Sequence, residues 1–273
     1  MTQIGHDIAD FALTVPGAEG ERIRLSWASS TDTGLRRAIN EDSSIAQSPI
    51  FAVADGMGGH SSGDLASDAV VSRLAEMAVT DFLTPERITA ALVDATNDID
   101  GVSDQSRLGV GTTVTGAALA MQGDQPCFAF FNVGDSRVYL YEAERLVQIT
   151  VDHSVVQEMV DAGLLSAADA ETHPDSNVIT RAVGFGAAPQ PDYWMVPIRE
   201  GQRILVCSDG LTKEVSHDDI ERVLARRESP LQIANALVEA ALAGGGRDNV
   251  TVVIVDVLEA PEELPEDTAP TRR

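Results

Sequence analysis

The chain has 273 residues, 44% of them hydrophobic, which is enough for one large core and excludes a mainly disordered polypeptide. Acidic side chains outnumber basic ones 43 to 19, the formal net charge is −24, and Lys213 is the single lysine. Without a basic block to neutralise a row of phosphates, nucleic acid and anionic membrane surfaces are disfavoured, and neither is expected as a partner. The charge suits divalent cations and basic or neutral protein surfaces, or it serves only to keep the chain soluble.

Residues 1–21 end in PGAEGE and read as a loosely attached lead-in to a domain over 22–258. Ile23–Ala28 alternates apolar and polar as a strand does, and Pro49–Asp55 is a short apolar run suited to a buried strand. Asp64–Thr80 carries an amphipathic helical pattern, and Pro85–Asp100 predicts a second helix with proline at its start. Thr112–Met121, Cys127–Val133, Arg137–Glu142 and Leu146–Thr150 follow as strands, with a hairpin turn at Gly123 and Asp124. Ser154–Ala162 reads as a helix closed by Gly163. Residues 164–190 have no clear period, and 162–191 is expected to form a mobile flap. Strands at Asp192–Pro197 and Arg203–Ser208, helices at His217–Arg226 and Pro230–Ala243, and a last strand at Asn249–Val257 complete the domain. Residues 259–273 are rich in acids and proline and read as a disordered tail. This order is not a regular βα alternation, so antiparallel sheets with helices packed outside them fit better than a doubly wound parallel sheet. Cys127 and Cys207 lie in apolar runs as reduced core residues, and no window of about 18 apolar residues occurs, so the chain reads as cytoplasmic.

Three apolar strands finish at an aspartate beside a glycine: Asp55–Gly56, Gly134–Asp135 and Asp209–Gly210. A further aspartate, Asp248, stands in GGGRDN just before the last strand. One Asp-Gly after a strand marks only a turn. If these strand ends meet, their carboxylates repel unless a cation sits among them. Oxygen donors without a His or Cys cluster point to Mg²⁺ or Mn²⁺, and the Gly56 carbonyl could itself be a ligand. The segment 34–42, GLRRAINED, is either a solvated turn with internal ion pairs or an arginine that grips phosphate beside Glu41 and Asp42. The loop 55–64, DGMGGHSSGD, holds His60 and precedes a helix, a place suited to an anion; it matches neither the Walker nor the dinucleotide glycine pattern.

Taken in order, GLRRAINED, FAVADGMGGH, GVGTTVTGA, NVGDSRVYLY, TVDHS, HPDSNVITRAVG, LVCSDGLTKEV and GGRDNVTVVIV resemble the bacterial type-2C, metal-dependent protein serine/threonine phosphatases over about residues 22–257. The resemblance implies an α+β fold, a four-layer αββα sandwich of two antiparallel sheets flanked by helix pairs. It implies hydrolysis of phosphoserine and phosphothreonine through a hydroxide bound to two metal ions, reversing the work of a cognate Ser/Thr kinase. By motif position, Asp55 would bridge the two ions, the Gly56 carbonyl would hold the second, and Asp209 and Asp248 the first. Glu41 and Asp42 would orient waters, Arg37 rather than Arg36 would bind phosphate, and His60 would donate a proton. Asp135 with Asp209 would hold a weaker third ion, the ions being Mn²⁺ or Mg²⁺. No Cys-x5-Arg loop surrounds either cysteine, so a cysteine-based phosphatase is excluded.

Overall fold

The structure is a computed structural model that describes residues 1–18, 20–58, 62–102, 109–170, 172–185 and 188–261. In chain order it opens with β1 (Gln3–Gly5), β2 (Ile8–Thr14), β3 (Arg22–Asp32), β4 (Asp42–Gln47) and β5 (Ile50–Met57), followed by α1 (Gly63–Ala75) and α2 (Pro85–Val102). Next come β6 (Gly111–Thr112), β7 (Val114–Gln122), β8 (Gln125–Val133), β9 (Arg137–Glu142) and β10 (Arg145–Gln148). The chain continues through α3 (Val155–Asp161), α4 (Ala167–Ala170), β11 (Val183–Gly184), β12 (Asp192–Pro197) and β13 (Arg203–Cys207). It closes with α5 (Asp209–Thr212), α6 (His217–Leu224), α7 (Pro230–Gly244) and β14 (Val250–Glu259).

Side-chain alternation sorts these elements into layers. One sheet runs β1-β4-β5-β7-β8-β12, with β6 and β11 beside β5; the other runs β10-β9-β13-β14-β3-β2. Phe51 and Val53 of β5 face Ile204 and Val206 of β13 and Val253 and Val255 of β14 across the gap between the sheets. Trp27 meets Phe51 edge-on at 5.1 Å in that gap. The intervening residues point outward. Ala52 and Ala54 pack under Val70 and Leu74 of α1 and Leu92 of α2. Leu205, Cys207 and Ile254 pack under Ile220 of α6 and Leu237 of α7. The result is the αββα sandwich. Helix starts follow local chemistry: Ser154, Ser216 and Ser229 each accept a backbone N–H three residues on, and Ser229 with Gln232 completes a capping box before Pro230. No helix among the described residues is long and apolar enough to cross a membrane.

The structure corrects the reading of residues 1–21 as a loose lead-in. β1 pairs in parallel with β4, and β2 pairs antiparallel with β3. Leu13 and Val15 are 7% and 2% exposed, and Phe11 meets Trp27 at 5.3 Å. A register shift between Ile8 and Phe11 breaks the two-residue period, which is why the alternation is not visible in the sequence. The last strand runs to Glu259, the first residue of the expected tail; residues 262–273 lie outside the described residues. β4 was not expected as a strand. Its sequence, DSSIAQ, buries serines in place of an apolar row, with Ser43 Oγ 2.9 Å from Ser67 Oγ of α1. Helix α1 stops at Ala75, short of Thr80, where the backbone tightens into bonds such as Met77 N–H to the Leu74 carbonyl.

If residues 1–15 belong to the core, Leu13→Ala lowers the unfolding free energy by about 2 kcal/mol or more, the usual range for a buried leucine. Urea denaturation followed by tryptophan fluorescence checks this; an unchanged midpoint would restore the lead-in.

Candidate metal centre

At one end of the sandwich, the inward-facing rows change from apolar to polar on strand after strand. In β4 the row reads Ala46, Ser44, Asp42, and in β5 it reads Phe51, Val53, Asp55. Beyond β13 Val206 leads to Ser208, and along β14 Val255 and Val253 give way to Thr251 and then Asn249. Antiparallel pairing brings these ends together. Asp42 lies directly opposite Asp55, and Thr251 opposite Thr31. Cross-strand partners share a face, so two carboxylates are neighbours where like charges destabilise.

Hydroxyl groups fix this end. Ser208 Oγ donates to Asp42 Oδ2 at 2.9 Å and accepts the Thr251 N–H at 3.0 Å, which ties the two sheets together. The Asp55 N–H donates to Thr113 Oγ1 at 3.1 Å, and Thr113 Oγ1 lies 2.8 Å from Ser136 Oγ, next to Asp135. Gly56 is required by close approach: a Cβ there would sit 2.1 Å from the Gly63 carbonyl oxygen and 2.6 Å from that of Glu41. Gly210 is required for the same reason, since a Cβ would meet the Asn249 carbonyl oxygen at 1.8 Å. Asn249 clamps the loop that carries Arg37 and Glu41. Its Nδ2 donates to the carbonyls of Thr33 and Ile39 at 2.9 and 3.0 Å, and its Oδ1 accepts the Glu41 N–H at 2.9 Å.

Among the described residues, Arg37 and Lys213 form ion pairs with these aspartates. Arg37 grips Asp248 with Nε and Nη2, both at 2.8 Å, and Lys213 pairs with Asp209. They do not balance the carboxylates. Burial pushes the Asp55 carboxyl well up, and the charges of Asp42, Asp209, Asp135 and Asp248 push it further. Burial raises Asp42 too, with Asp209 and Asp248 adding to it, and it raises Asp135, with Asp209 adding to it. Glu41 is raised by burial, against the pull of the Gly63 N–H and Arg37. Asp42 Oδ1 and Asp209 Oδ1 are buried without a hydrogen-bond partner.

Among the described residues no three such side chains are close enough together to form a closed metal cage, and Arg37 and Lys213 pair with two of the aspartates. The donor set still fits divalent ions. It is all oxygen, it carries excess negative charge, and its two orphaned carboxylate oxygens would find a partner in an ion. The structure thus brings Arg37, Glu41, Asp42, Asp55, Gly56, Asp135, Asp209 and Asp248 to one end of the sandwich. His60 lies outside the described residues. Sequence reasoning missed Asn249, Ser208 and Thr113, whose role is visible only as hydrogen bonds. It also left Lys213 without a role, although a single lysine in so acidic a chain was a signal.

A cleft of about 770 Å³ runs from these carboxylates to α3 and the segment beyond it, where Gln157, Ser176, Asn177 and Ile179 line it. His153 anchors that segment. Its Nδ1 accepts the Gly134 N–H at 3.1 Å, so its Nε2 carries the proton and donates to Asp192 Oδ2 at 3.1 Å. Arg181 Nη1 reaches Asp192 Oδ1 at 3.0 Å.

The family model for protein phosphatase 2C matches residues 38–243. The chain belongs to the protein phosphatase 2C family. It is 38% identical over 242 residues to the serine/threonine protein phosphatase PstP of Mycobacterium tuberculosis, covering 86% of this chain and 45% of that protein. The chain therefore spans about half the length of that relative. It is 36% identical over 239 residues to the serine/threonine phosphatase stp of Listeria monocytogenes, covering 83% of this chain and 93% of that protein. A crystal structure of the PstP catalytic domain in complex with two manganese ions matches with a TM-score of 0.75 at 35% identity, covering 87% of this chain and 99% of that one. The family match runs from residue 38 to residue 243, so Arg37 and Asp248 lie outside it.

The raised carboxyls set a pH dependence. These acids hold protons more tightly when folded, so their stabilising contribution is full below the ordinary carboxylate range near 4 and is lost as pH rises through about 7, to which Asp42 and Asp135 are pushed. The melting temperature of the metal-free protein therefore falls between about pH 5 and pH 8, and Mn²⁺ added at the upper end restores it. Melts followed by circular dichroism check this; a flat metal-free profile would contradict the crowding of charge.

Proposed function

We propose that this protein hydrolyses phosphoserine and phosphothreonine on other proteins as a metal-dependent phosphatase. One observation carries the reading: a member of the protein phosphatase 2C family gathers Asp55, Asp209, Asp248, Asp42 and Glu41 at one end of a cleft of about 770 Å³. Asp55 would hold both of two ions, the Gly56 carbonyl the second, and Asp209 and Asp248 the first, with Glu41 and Asp42 orienting waters. Bound there, Mn²⁺ or Mg²⁺ would turn water into a nucleophile at neutral pH and neutralise charge on the phosphoryl oxygens. The manganese-containing relative supports Mn²⁺. The resemblance also assigns a weaker third ion to Asp135 and Asp209, where the Lys213 ammonium already pairs with Asp209.

The remaining residues bind, orient and shuttle protons. Arg37 lines the cleft with 48% of its side chain exposed, and its planar fork suits two phosphate oxygens; a phosphate competes with Asp248 for the same donors. Asn249 keeps the Arg37 loop in register. His60 keeps the role of proton donor to the leaving serine or threonine oxygen on its place in the glycine-rich loop. Residues 162–191 form a flap that selects substrates; Ser176, Asn177 and Ile179 at the cleft wall support this. The physiological partners are phosphoproteins made by a Ser/Thr kinase, in the cytoplasm, where the buried free thiols of Cys127 and Cys207 stay reduced.

Hydrolysis of p-nitrophenyl phosphate and of a phosphothreonine peptide, with Mn²⁺, with chelator, and after re-addition, tests the reading. Activity is expected only with the ion and to return fully; turnover in the stripped sample would end the metal mechanism. Asp55→Ala removes both metal binding and turnover. Arg37→Ala raises KM for the peptide by about tenfold or more while kcat changes less, as loss of charged hydrogen bonds to a phosphate predicts. Arg36→Ala does little. Steady-state kinetics decide, and a costly Arg36 would shift the motif by one residue.

A further inference from the structure

The single lysine stands at the metal centre. Lys213 caps α5 four residues after Asp209, a spacing that places both side chains on one helix face. Its ammonium pairs with Asp209, whose side chain is 13% exposed, and its charge also acts on Asp135 and Asp55. The backbone beneath it is pinned. The Lys213 N–H donates to the Asp209 carbonyl at 2.9 Å, and its own carbonyl accepts from Arg247 Nη2 at 3.2 Å. Arg247 is in turn held at 2.8 Å by Glu214, whose side chain is 2% exposed. The lysine stem thus rises into the cleft from a fixed point.

Asp209 and Asp135 are the carboxylates that the resemblance assigns to a third ion, and an ammonium on Asp209 does not fit that assignment. The ammonium takes Asp209 Oδ2, while Asp209 Oδ1 is buried without a partner and is left for the first ion; a protonated lysine has no lone pair to offer a metal and disfavours a further dication on its own side of the carboxylate. It does satisfy the same need for positive charge. We propose that the Lys213 ammonium takes the place of the third divalent ion in this protein, so that the centre is complete with two exchangeable ions. The inference rests on the two-ion reading above. Lys213 acts as a positioning residue through its ion pair with Asp209.

The test is Mn²⁺ titration calorimetry on the metal-stripped full chain, with thermal melts to confirm folding. The wild type and Lys213→Arg are expected to saturate with two ions, even at millimolar Mn²⁺. Lys213→Asp takes up a third, weaker ion, and adding Asp135→Asn removes it again. In Lys213→Asp the turnover of p-nitrophenyl phosphate rises a second time as that site fills, where the wild type stays flat. A third ion in the wild type that Asp135→Asn abolishes would overturn the proposal and leave the two-ion reading in place. Lys213→Asp with only two ions would overturn it equally. Fewer than two ions in the wild type would remove the two-ion reading, and this inference with it.

Discussion

Mutual repulsion among carboxylates at one end of a β-sandwich is the constraint on which the rest of this structure depends. Two like charges about 4 Å apart at an effective dielectric of about 20 cost about 4 kcal/mol, a large share of the roughly 5–15 kcal/mol that holds a domain folded. Asp42 and Asp55 face each other across β4 and β5, and Asp135, Asp209 and Asp248 add their fields. Such an arrangement persists only on a scaffold that cannot relax. The apolar layer between the sheets, with Trp27 against Phe51, provides it. The hydroxyls of Ser208, Thr113 and Ser136 then tie the polar ends so that the aspartates cannot splay apart.

This constraint explains the division of labour in the chain. The carboxylates rise from strand ends and a short helix of the two sheets, where register leaves little freedom. Phosphate recognition is assigned to a loop, but one clamped through Asn249 to the start of β14. The far wall of the cleft comes from α3 and the aperiodic segment after it, joined to the sandwich through His153, Arg181 and Asp192.

Much of the fold was legible because the sandwich strands keep a strict two-residue period wherever both faces are buried by different partners. Phe51 and Val53 go to one layer and Ala52 and Ala54 to the other, and the residues of β13 and β14 divide in the same way. The misses have local causes. β2 carries a register shift, so Ile8 and Phe11 fall out of alternation. β4 buries Ser43 and Ser44, residues that no hydrophobic pattern marks.

The sequence by itself determined which chemistry was available: oxygen donors without thiol or imidazole clusters, a negative excess, aspartates beside glycines at the ends of apolar runs, and an order of motifs that resembles one phosphatase family. Only the tertiary structure decided which of those groups meet. Residues as distant as Asp42 and Ser208 are joined by antiparallel register and by the packing of one sheet on another, and neither is encoded in local spacing. The same holds for Lys213 on Asp209 and for Asn249 beneath Glu41. Their partners follow from where the strand ends stop, a property of the packed sandwich rather than of any segment within it.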